Sequence, residues 1–379
     1  MPRRLAHRIR LTSCSSIIGL SLSCVVVITR HYNALSAHAL PWLTGTSVRP
    51  MMSIANHPVA HTQGARLSAY LTNLTNEGLI HFEGPETVTF LQGQVSCDVR
   101  NVSLSNALTG AYCTPKGRVI ADFLLGQVGT NHWLMRLRSD IAEHTANVLS
   151  KYIVFSKSEL DSQRTDWITM GCWGAEAATT LKEHFGDIPN ELHASIATNG
   201  ALIIQRDNNA QRFELWLERE HCCAQIDALS ANCLHGSLER WTGMDIESGL
   251  TRVSAATTET MTPQALNYDL TGQVDFRKGC YTGQEVVARL HYKGESKRRT
   301  FAARLNKEDS SKVGTDIVTL DGSTVGTVLD QGLDEDQCTV ILFELAIKAR
   351  EQTLQLGNAE NAQPITLLSL PYPYPSKSE

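Results

Sequence analysis

The sequence predicts an α+β fold, in which short strands alternate with single helices and no regular strand–helix–strand repeat develops. Two hairpin patterns support this class, at 107–128 and 200–220, where apolar segments flank turns built from Pro, Gly, Asn and Asp. After Arg299 the strands become short and alternate apolar with polar residues between Gly, Asp and Ser turns. This spacing predicts a separate small β-barrel over 300–370.

The predicted elements of the first half follow from local signals. Pro85 begins a helix that ends at Gly93, and Asp98 caps the next turn. The first hairpin turns at 115–117, and strand 132–138 continues the meander. A helix is predicted over 141–152, followed by a return to strand in KYIVFSKSEL.

The second half contains a predicted strand, turn and helix over 166–185 and a hairpin whose turn is Asp207-Asn208-Asn209. The chain ends in LPYPYPSKSE, where three prolines predict an extended tail over 371–379.

Composition limits the functional classes. The chain has 379 residues, 42% of them apolar, which is enough for two or more folded domains. Residues 1–55 carry six arginines and no acid, whereas the remainder carries 28 basic and 39 acidic residues, a net charge of −11. An acidic body disfavours generic nucleic-acid binding, so no direct nucleic-acid partner is expected, although a local basic patch is compatible with this composition.

Residues 1–55 have three interpretations. A basic start, an uncharged apolar segment and Ala37-His38-Ala39 resemble a signal peptide, and an Arg- and Ser-rich leader without acids also fits an organellar transit peptide. Equally, the start can be mis-assigned, with Met51 or Met52 beginning the protein. The segment is predicted to be disordered and too short in apolar residues to span a membrane. The expected location is cytoplasmic, or the mitochondrial matrix if the source is eukaryotic and the leader is real.

The ten cysteines are scattered without a CxxC or CxxH pair. This spacing predicts neither a metal site nor a disulfide framework, and it is typical of a reducing compartment. Nothing in the pattern requires a dimer, so a monomer is expected.

The segment FRKGCYTGQEVVARLHYKG, residues 276–294, contains the strongest local signal. Thr282 and Glu285 have the spacing of a helix capping box, Tyr281 and Val286 that of a hydrophobic staple, and Gly294 marks the helix end. Cys280 would then lie just ahead of a helix N-terminus.

Cys280 has three readings in this context. The helix N-terminus and the nearby Lys278 would both favour a reactive thiolate. Alternatively, Cys280 is a small buried hydrophobic residue, as most free cysteines are. Metal ligation has the least support, because no partner lies at ligand spacing.

Three motif blocks carry a family resemblance. KGCYTGQE (278–285), with VVAR after it, resembles the signature of the YgfZ family, folate-binding relatives of the glycine-cleavage T-protein, an aminomethyltransferase. FLQGQVSCDV (90–99) and YCTPKGRVIADF (112–123) are similar to that family's N-terminal blocks. The resemblance extends over 67–370.

The resemblance implies a ring of α+β subdomains around a channel that binds tetrahydrofolate, over 66–299, followed by the C-terminal barrel. It implies a role in iron–sulphur cluster assembly or repair in client enzymes, including tRNA-thiomethylating enzymes. The family's signature cysteine and lysine correspond to Cys280 and Lys278, which are expected to be catalytic. Asp122, Tyr281 and Gln284 are expected to contact the cofactor.

Two alternatives remain open. A tetrahydrofolate-dependent aminomethyltransferase needs an acidic group near the reactive nitrogen, and Asp122 is the only acid in GRVIADF. Asp122 could instead be a strand-end carboxylate that faces solvent, and Glu214 is interpreted as an ordinary strand residue. The second alternative is a non-catalytic folate-sensing scaffold. It rests on five basic residues in RLHYKGESKRR (289–299), a segment that is otherwise interpreted as a solvated connector.

Overall fold

The computed structural model describes residues 68–306, 312–357 and 363–374. The predictions for the leader, the start site and residues 375–379 lie outside these ranges. None of the helices in the described ranges is long and apolar enough to cross a membrane.

Eighteen strands and six α-helices lie in the described residues. The strands are β1 (Tyr70–Asn73), β2 (Glu77–Glu83), β3 (Leu108–Cys113), β4 (Val119–Gly129), β5 (His132–Arg138), β6 (Glu159–Asp161), β7 (Trp167–Trp173), β8 (Ser195–Thr198), β9 (Ala201–Gln205), β10 (Arg212–Glu218), β11 (Leu234–His235), β12 (Arg298–Arg304), β13 (Asp316–Thr319), β14 (Thr324–Leu333), β15 (Thr339–Ala346), β16 (Leu354–Leu356), β17 (Gln363–Pro364) and β18 (Thr366–Leu367). The helices are α1 (Thr87–Gln92), α2 (Ser139–Ile153), α3 (Ala177–Phe185), α4 (Cys223–Asn232), α5 (Leu238–Glu247) and α6 (Gln284–Lys293).

The first sheet has five antiparallel strands in the order β3-β4-β5-β2-β6. It contains the predicted hairpin, whose turn closes through the Gly117 amide and the Thr114 carbonyl at 2.8 Å. The predicted helices at Pro85 and at 141–152 are also present as α1 and α2, and Asp98 accepts from the Arg100 amide as predicted.

The second sheet has the order β11-β1-β7-β10-β9-β8. The predicted hairpin at 200–220 is its β9–β10 pair, and the predicted strand, turn and helix at 166–185 form β7 and α3. One face packs apolar side chains such as Phe213 and Leu215 against α3 and α4. The opposite face contributes Leu202, Ile204 and Trp216 to a core shared with the first sheet.

The third sheet is a nearly closed, barrel-like sheet of seven strands, in the order β17-β16-β13-β14-β15-β12-β18. Its end strands β17 and β18 follow each other in the chain, which brings the two edges together. A Cβ built on Gly243 of α5 would lie 1.9 Å from the Leu333 carbonyl oxygen, so a glycine allows α5 to dock closely on β14. The predicted fold class, α+β with a C-terminal barrel, is confirmed.

Two local expectations differ from the structure. The strand predicted after residue 152 is wrong over 151–155, because α2 continues to Ile153, and only Glu159–Asp161 is extended. The described part of the proline-rich tail packs against the body: the Tyr372 hydroxyl donates to the Gly249 carbonyl at 2.9 Å, and the Tyr374 ring stacks on Phe301.

Candidate functional site

A network of buried charged side chains occupies the region where the two α+β sheets face each other. It contains four arginines and four carboxylates, each with at most 7% of its side chain exposed. Its members are Glu77, Asp122, Arg136, Arg206, Arg212, Glu214, Asp245 and Arg252. Burying eight charges is costly unless each is paired, so the pairing pattern shows which groups are fully satisfied.

Glu214 is the anionic centre of one half of the network. Arg136 donates to its two carboxylate oxygens at 2.7 and 2.8 Å, a bidentate pair between the first and second sheets. The Trp216 indole N–H donates to the same carboxylate at 2.8 Å. The inward-facing positions of β10 therefore read Arg-x-Glu-x-Trp, and this polar pattern on a buried face is a signal that sequence reasoning missed.

Arg252 is the cationic centre of the other half. It donates to Asp122 at 2.6 Å and to both oxygens of Glu77 at 2.9 Å. The backbone N–H of Val253 donates to the second Asp122 oxygen at 2.6 Å. Asp122 lies in the middle of β4 and is 2% exposed, so the reading of a solvent-facing strand-end carboxylate is wrong.

Two arginines of the network are only partly satisfied. Arg212 donates to Asp245 at 2.7 Å and to the Trp241 carbonyl at 3.0 Å, and its guanidinium lies 4.0 Å above the Trp241 ring. Its Nε and Nη1 groups have no hydrogen-bond partner among the described residues, and the same is true of Nε and Nη1 of Arg206. Native proteins rarely leave such donors unpaired, so the burial of these two arginines is less well compensated than that of Arg136 and Arg252.

The protonation of the network follows from competition between burial and ion pairing. Burial raises the pKa of Glu77, but Arg252 and Arg136 outweigh it and lower that pKa to about 2. The same competition, dominated by Arg212 and Arg252 among the pairing groups, lowers the pKa of Asp245 to about 2. For Arg206, burial outweighs the attraction of Glu214 and lowers the pKa to about 10. Glu77, Asp245 and Arg206 are thus charged at neutral pH.

A cavity of about 1010 Å³ lies beside Arg212. Its walls come from the second sheet, from α5 and from the barrel loop at 335–337. Tyr70 and Trp173 supply stacked aromatic rings with centroids 5.6 Å apart, and Arg240 and Glu247 supply charges. The cavity therefore combines aromatic surface with cationic side chains.

The three sequence blocks of the family resemblance meet around Cys280. The amide of Asp275 donates to the Ser96 carbonyl at 2.9 Å, which joins the Cys280 segment to the 90–99 block. A Cβ on Gly283 would lie 2.4 Å from the Thr114 carbonyl oxygen, so the 112–123 hairpin turn touches the same loop. Cys280 itself is exposed. Residues far apart in sequence thus combine to hold this loop.

The predicted capping box is wrong. The N-cap of α6 is Gly283, which adopts a left-handed conformation with φ 84°, and no side chain caps the helix. The staple is wrong as well, because with Gly283 as the N-cap Tyr281 and Val286 no longer occupy the N′ and N4 positions. Close packing of Gly283 against the hairpin turn fixes this geometry and overrides the local signal. The predicted helix end at Gly294 is confirmed.

Replacing Gly283 with Ala is expected to lower the free energy of unfolding by about 1–3 kcal/mol, because the residue has a positive φ and a Cβ would meet the Thr114 carbonyl. Gly279→Ala in the same loop is the matched control, since nothing lies within 4 Å of its Cβ position. Urea unfolding measures both. Equal stability of the two variants would contradict the packing argument.

Lys278 anchors the Cys280 loop to the backbone at and just after the end of α1. Its buried ammonium donates to the Gln92 carbonyl at 2.7 Å and to the Val95 carbonyl, at the end of α1. Burial lowers the pKa of Lys278. The ammonium is therefore directed at backbone carbonyls, which differs from the expectation that it supports a thiolate at Cys280.

The remaining predicted site residues lie in this loop. The Tyr281 ring is buried, with the Lys278 ammonium 5.1 Å from its centroid, and burial raises the pKa of the Tyr281 hydroxyl. Gln284 is the first residue of α6 and is half-buried. The structure places neither residue, nor Cys280, in the lining of the cavity beside Arg212. Of the predicted cofactor contacts, only Asp122 joins the buried network.

One group of side chains has the composition of a metal site. The ring nitrogens of His81 and His132 lie 3.1 Å apart, and Glu83 lies 3.6 Å from His132. However, Arg164 donates to the same Glu83 oxygen at 2.6 Å. Because a cation already binds this carboxylate, we assign no metal here.

Two sheets around a charged centre, the first antiparallel and the second mixed, with a barrel at the C-terminal end, define the T-protein class of fold. The model of the GCVT N-terminal domain matches residues 32–200. The glycine cleavage system aminomethyltransferase T from Bartonella henselae has the same fold, with a TM-score of 0.68 and 17% identity over 81% of this chain and 86% of that chain.

Closer relatives are found by sequence. The tRNA-modifying protein YgfZ of Pectobacterium atrosepticum is 30% identical over 347 residues, which cover 90% of this chain and 98% of that protein. The protein of the same name from Yersinia pestis is 30% identical over 263 residues, 69% of this chain and 78% of that protein. The chain belongs to the YgfZ family.

Proposed function

We propose that this protein binds tetrahydrofolate and acts in the assembly or repair of iron–sulphur clusters in client enzymes that modify tRNA, with Cys280 as its reactive group. The observation that carries the proposal is a large cavity lined by the stacked Tyr70 and Trp173 rings together with Arg212 and Arg240. The relatives' name, tRNA-modifying protein, supports the process, and a cytoplasmic location accords with the scattered cysteines.

The cavity suits a folate in size and chemistry. Its volume of about 1010 Å³ is ample for a ligand of this size. A folate combines a flat pterin ring with a glutamate tail. Trp173 offers aromatic surface to the ring, and Arg212 and Arg240 offer guanidinium groups to carboxylates. When bound, tetrahydrofolate would supply a carrier for a one-carbon group.

Cys280 is suited to contact with a large partner. It is exposed, and its loop is fixed by the buried Lys278 ammonium and by Gly283 against the hairpin turn. A thiolate is both a nucleophile and a ligand for iron, so this position can take part in sulphur or cluster chemistry on a client protein. Lys278 acts in this proposal as a positioning residue.

An aminomethyltransferase is less well supported. That reaction needs an acid free to manage a proton, whereas Arg252 and the Val253 amide occupy both oxygens of Asp122. The likeness to the T-protein is at 17% identity and concerns the fold. The scaffold alternative rests on five basic residues in 289–299, and it loses part of that basis too. One of them, Arg299 of β12, is buried and pairs with Asp269 at 2.5 Å.

The proposal is tested with the full chain by anaerobic calorimetric titration with tetrahydrofolate. Binding is expected for the wild type and for Cys280→Ser. Arg212→Lys is expected to weaken it at least tenfold, because a lysine keeps the charge but lacks the planar guanidinium that pairs with a carboxylate through two N–H groups. Arg240→Lys is the matched control, since Arg240 lines the same cavity but already bonds Glu247 and the Leu333 carbonyl. No binding by the wild type would overturn the folate assignment.

A complementation assay in cells that lack the gene tests the role of Cys280. Cys280→Ser is expected to fold and to bind tetrahydrofolate, yet to fail to restore the activity of iron–sulphur enzymes that modify tRNA. Cys223→Ser is the matched control, because Cys223 is also exposed and lies on α4. Full rescue by Cys280→Ser would remove the reactive thiol from the proposal.

A further inference from the structure

An aromatic cluster lies close to Cys280 in the chain and on α6. His291 stacks on Phe276, with ring centroids 3.6 Å apart and planes at 13°. Tyr292 packs edge-on against both rings, at 6.2 Å from Phe276 and 4.7 Å from His291. Tyr292 is nevertheless 67% exposed. The cluster therefore holds one ring rigidly while leaving much of its surface open to solvent.

Basic side chains surround this cluster. The Arg277 side chain is 94% exposed, and its nearest carboxylate, on Asp275, lies 3.7 Å away. Arg289 and Lys293 are exposed and form no ion pair with any other residue in the part of the chain that the structure describes. We call Phe276, Arg277, Arg289, His291, Tyr292 and Lys293 the aromatic–basic face.

We propose that the aromatic–basic face docks single-stranded RNA beside Cys280. Nucleobases stack on exposed aromatic rings, and guanidinium and ammonium groups bind the phosphates that link them. This inference deepens the proposed function, because it places an RNA substrate of the client enzymes next to the reactive thiol.

The shape of the face favours RNA over a protein segment. Protein interfaces depend on side chains that anchor in well-packed pockets. The aromatic–basic face contributes no residue to the cavity beside Arg212. Apart from Tyr292, the exposed large hydrophobic residue of α6 is Val286, at 37%. A protruding ring with unpaired cations is a stacking surface rather than an apolar groove.

The face also refines the expectation drawn from overall charge. The body of the chain carries a net charge of −11, which disfavours generic binding to nucleic acid. Over 275–297 the exposed bases are Arg277, Arg289, Lys293 and Lys297, and the acids are the exposed Glu285 and Glu295 and the half-buried Asp275, so this segment carries a small local excess of positive charge. Binding should therefore be weak, local and sensitive to salt.

The test is fluorescence anisotropy of a labelled single-stranded RNA with the full chain, with a duplex of the same sequence for comparison. Single-stranded RNA is expected to bind more tightly than the duplex. Tyr292→Ala should weaken binding about tenfold through lost stacking. The double variant Arg289→Glu, Lys293→Glu should weaken it and reduce the salt slope by about 1.4.

The control is the exposed surface of α2, where Tyr152→Ala with Lys151→Glu makes matched changes. This variant should bind RNA like the wild type. The proposal would be overturned if the wild type did not bind the RNA or if Tyr292→Ala left the RNA affinity unchanged. It would also be overturned if the control variant lost as much RNA affinity as the variants of the aromatic–basic face. A poly-glutamate peptide that displaced the RNA at the same concentration of charge would also overturn the proposal, because it would indicate an acidic protein partner.

Titration with tetrahydrofolate separates this inference from the proposed function. Tyr292→Ala should bind tetrahydrofolate like the wild type, because Tyr292 does not line the cavity. RNA binding without folate binding would leave the RNA surface standing and remove the folate assignment. Folate binding without RNA binding would support the folate assignment and remove the RNA surface.

Discussion

Replacing Glu214 with Gln is expected to lower the free energy of unfolding by about 3–5 kcal/mol. The change keeps the shape of the side chain but removes the charge that Arg136 and Arg206 share. Arg206 would remain buried without a paired carboxylate, and Arg136 would keep only its 3.4 Å contact with Glu77. Since Arg206 is already poorly satisfied, the loss should exceed that of an ordinary ion pair.

Urea unfolding at neutral pH measures this effect. Glu218→Gln is the matched control, because Glu218 lies on the same strand, β10, and forms a pair with His221 at 2.8 Å while 27% of its side chain is exposed. Its removal should change stability by less than about 1 kcal/mol. Comparable losses in the two variants would show that the buried network does not stabilise the fold.

Acid is expected to unfold the protein through the same network. The pKa of Glu77 falls from 4.5 to about 2 on folding, because Arg252 and Arg136 outweigh the cost of burial. A lowered carboxyl pKa adds stability that is present above the unfolded pKa and is lost as the pH falls towards the folded pKa. For Glu77 this amounts to about 3 kcal/mol, and Asp245 contributes in the same direction.

Stability should therefore begin to fall below about pH 6.5, because burial lowers the pKa of His81 to about 4 and that of His193 to about 3, so the unfolded chain takes up these protons first. The carboxylates of the network should add a steep loss between about pH 4.5 and 2. Urea unfolding at a series of pH values measures the slope. The variant Glu77→Gln should be less stable at pH 7 and should show a shallower decline in acid, because it lacks one of the titrating groups. A stability that stays flat down to pH 2, or an unchanged slope in Glu77→Gln, would contradict this assignment.

Local sequence determined the regular elements. The hairpins at 107–128 and 200–220, the helix over 141–152 and the barrel strands after Arg299 follow from apolar alternation and turn residues, which act over a few positions. The position of Cys280 before a helix followed from the same short-range signals, whereas its exposure was left open by the sequence. These interactions lie within one segment, so the sequence reports them directly.

Tertiary contacts decided the site. Glu77 and Arg252 are 175 positions apart, and Arg136 and Glu214 are 78 apart, so no local pattern predicts their pairing. The same kind of contact placed Gly283 rather than Thr282 at the helix start and directed Lys278 to backbone carbonyls. Burying a charge requires a partner brought by the fold from elsewhere in the chain, and for that reason only the folded structure reveals the network.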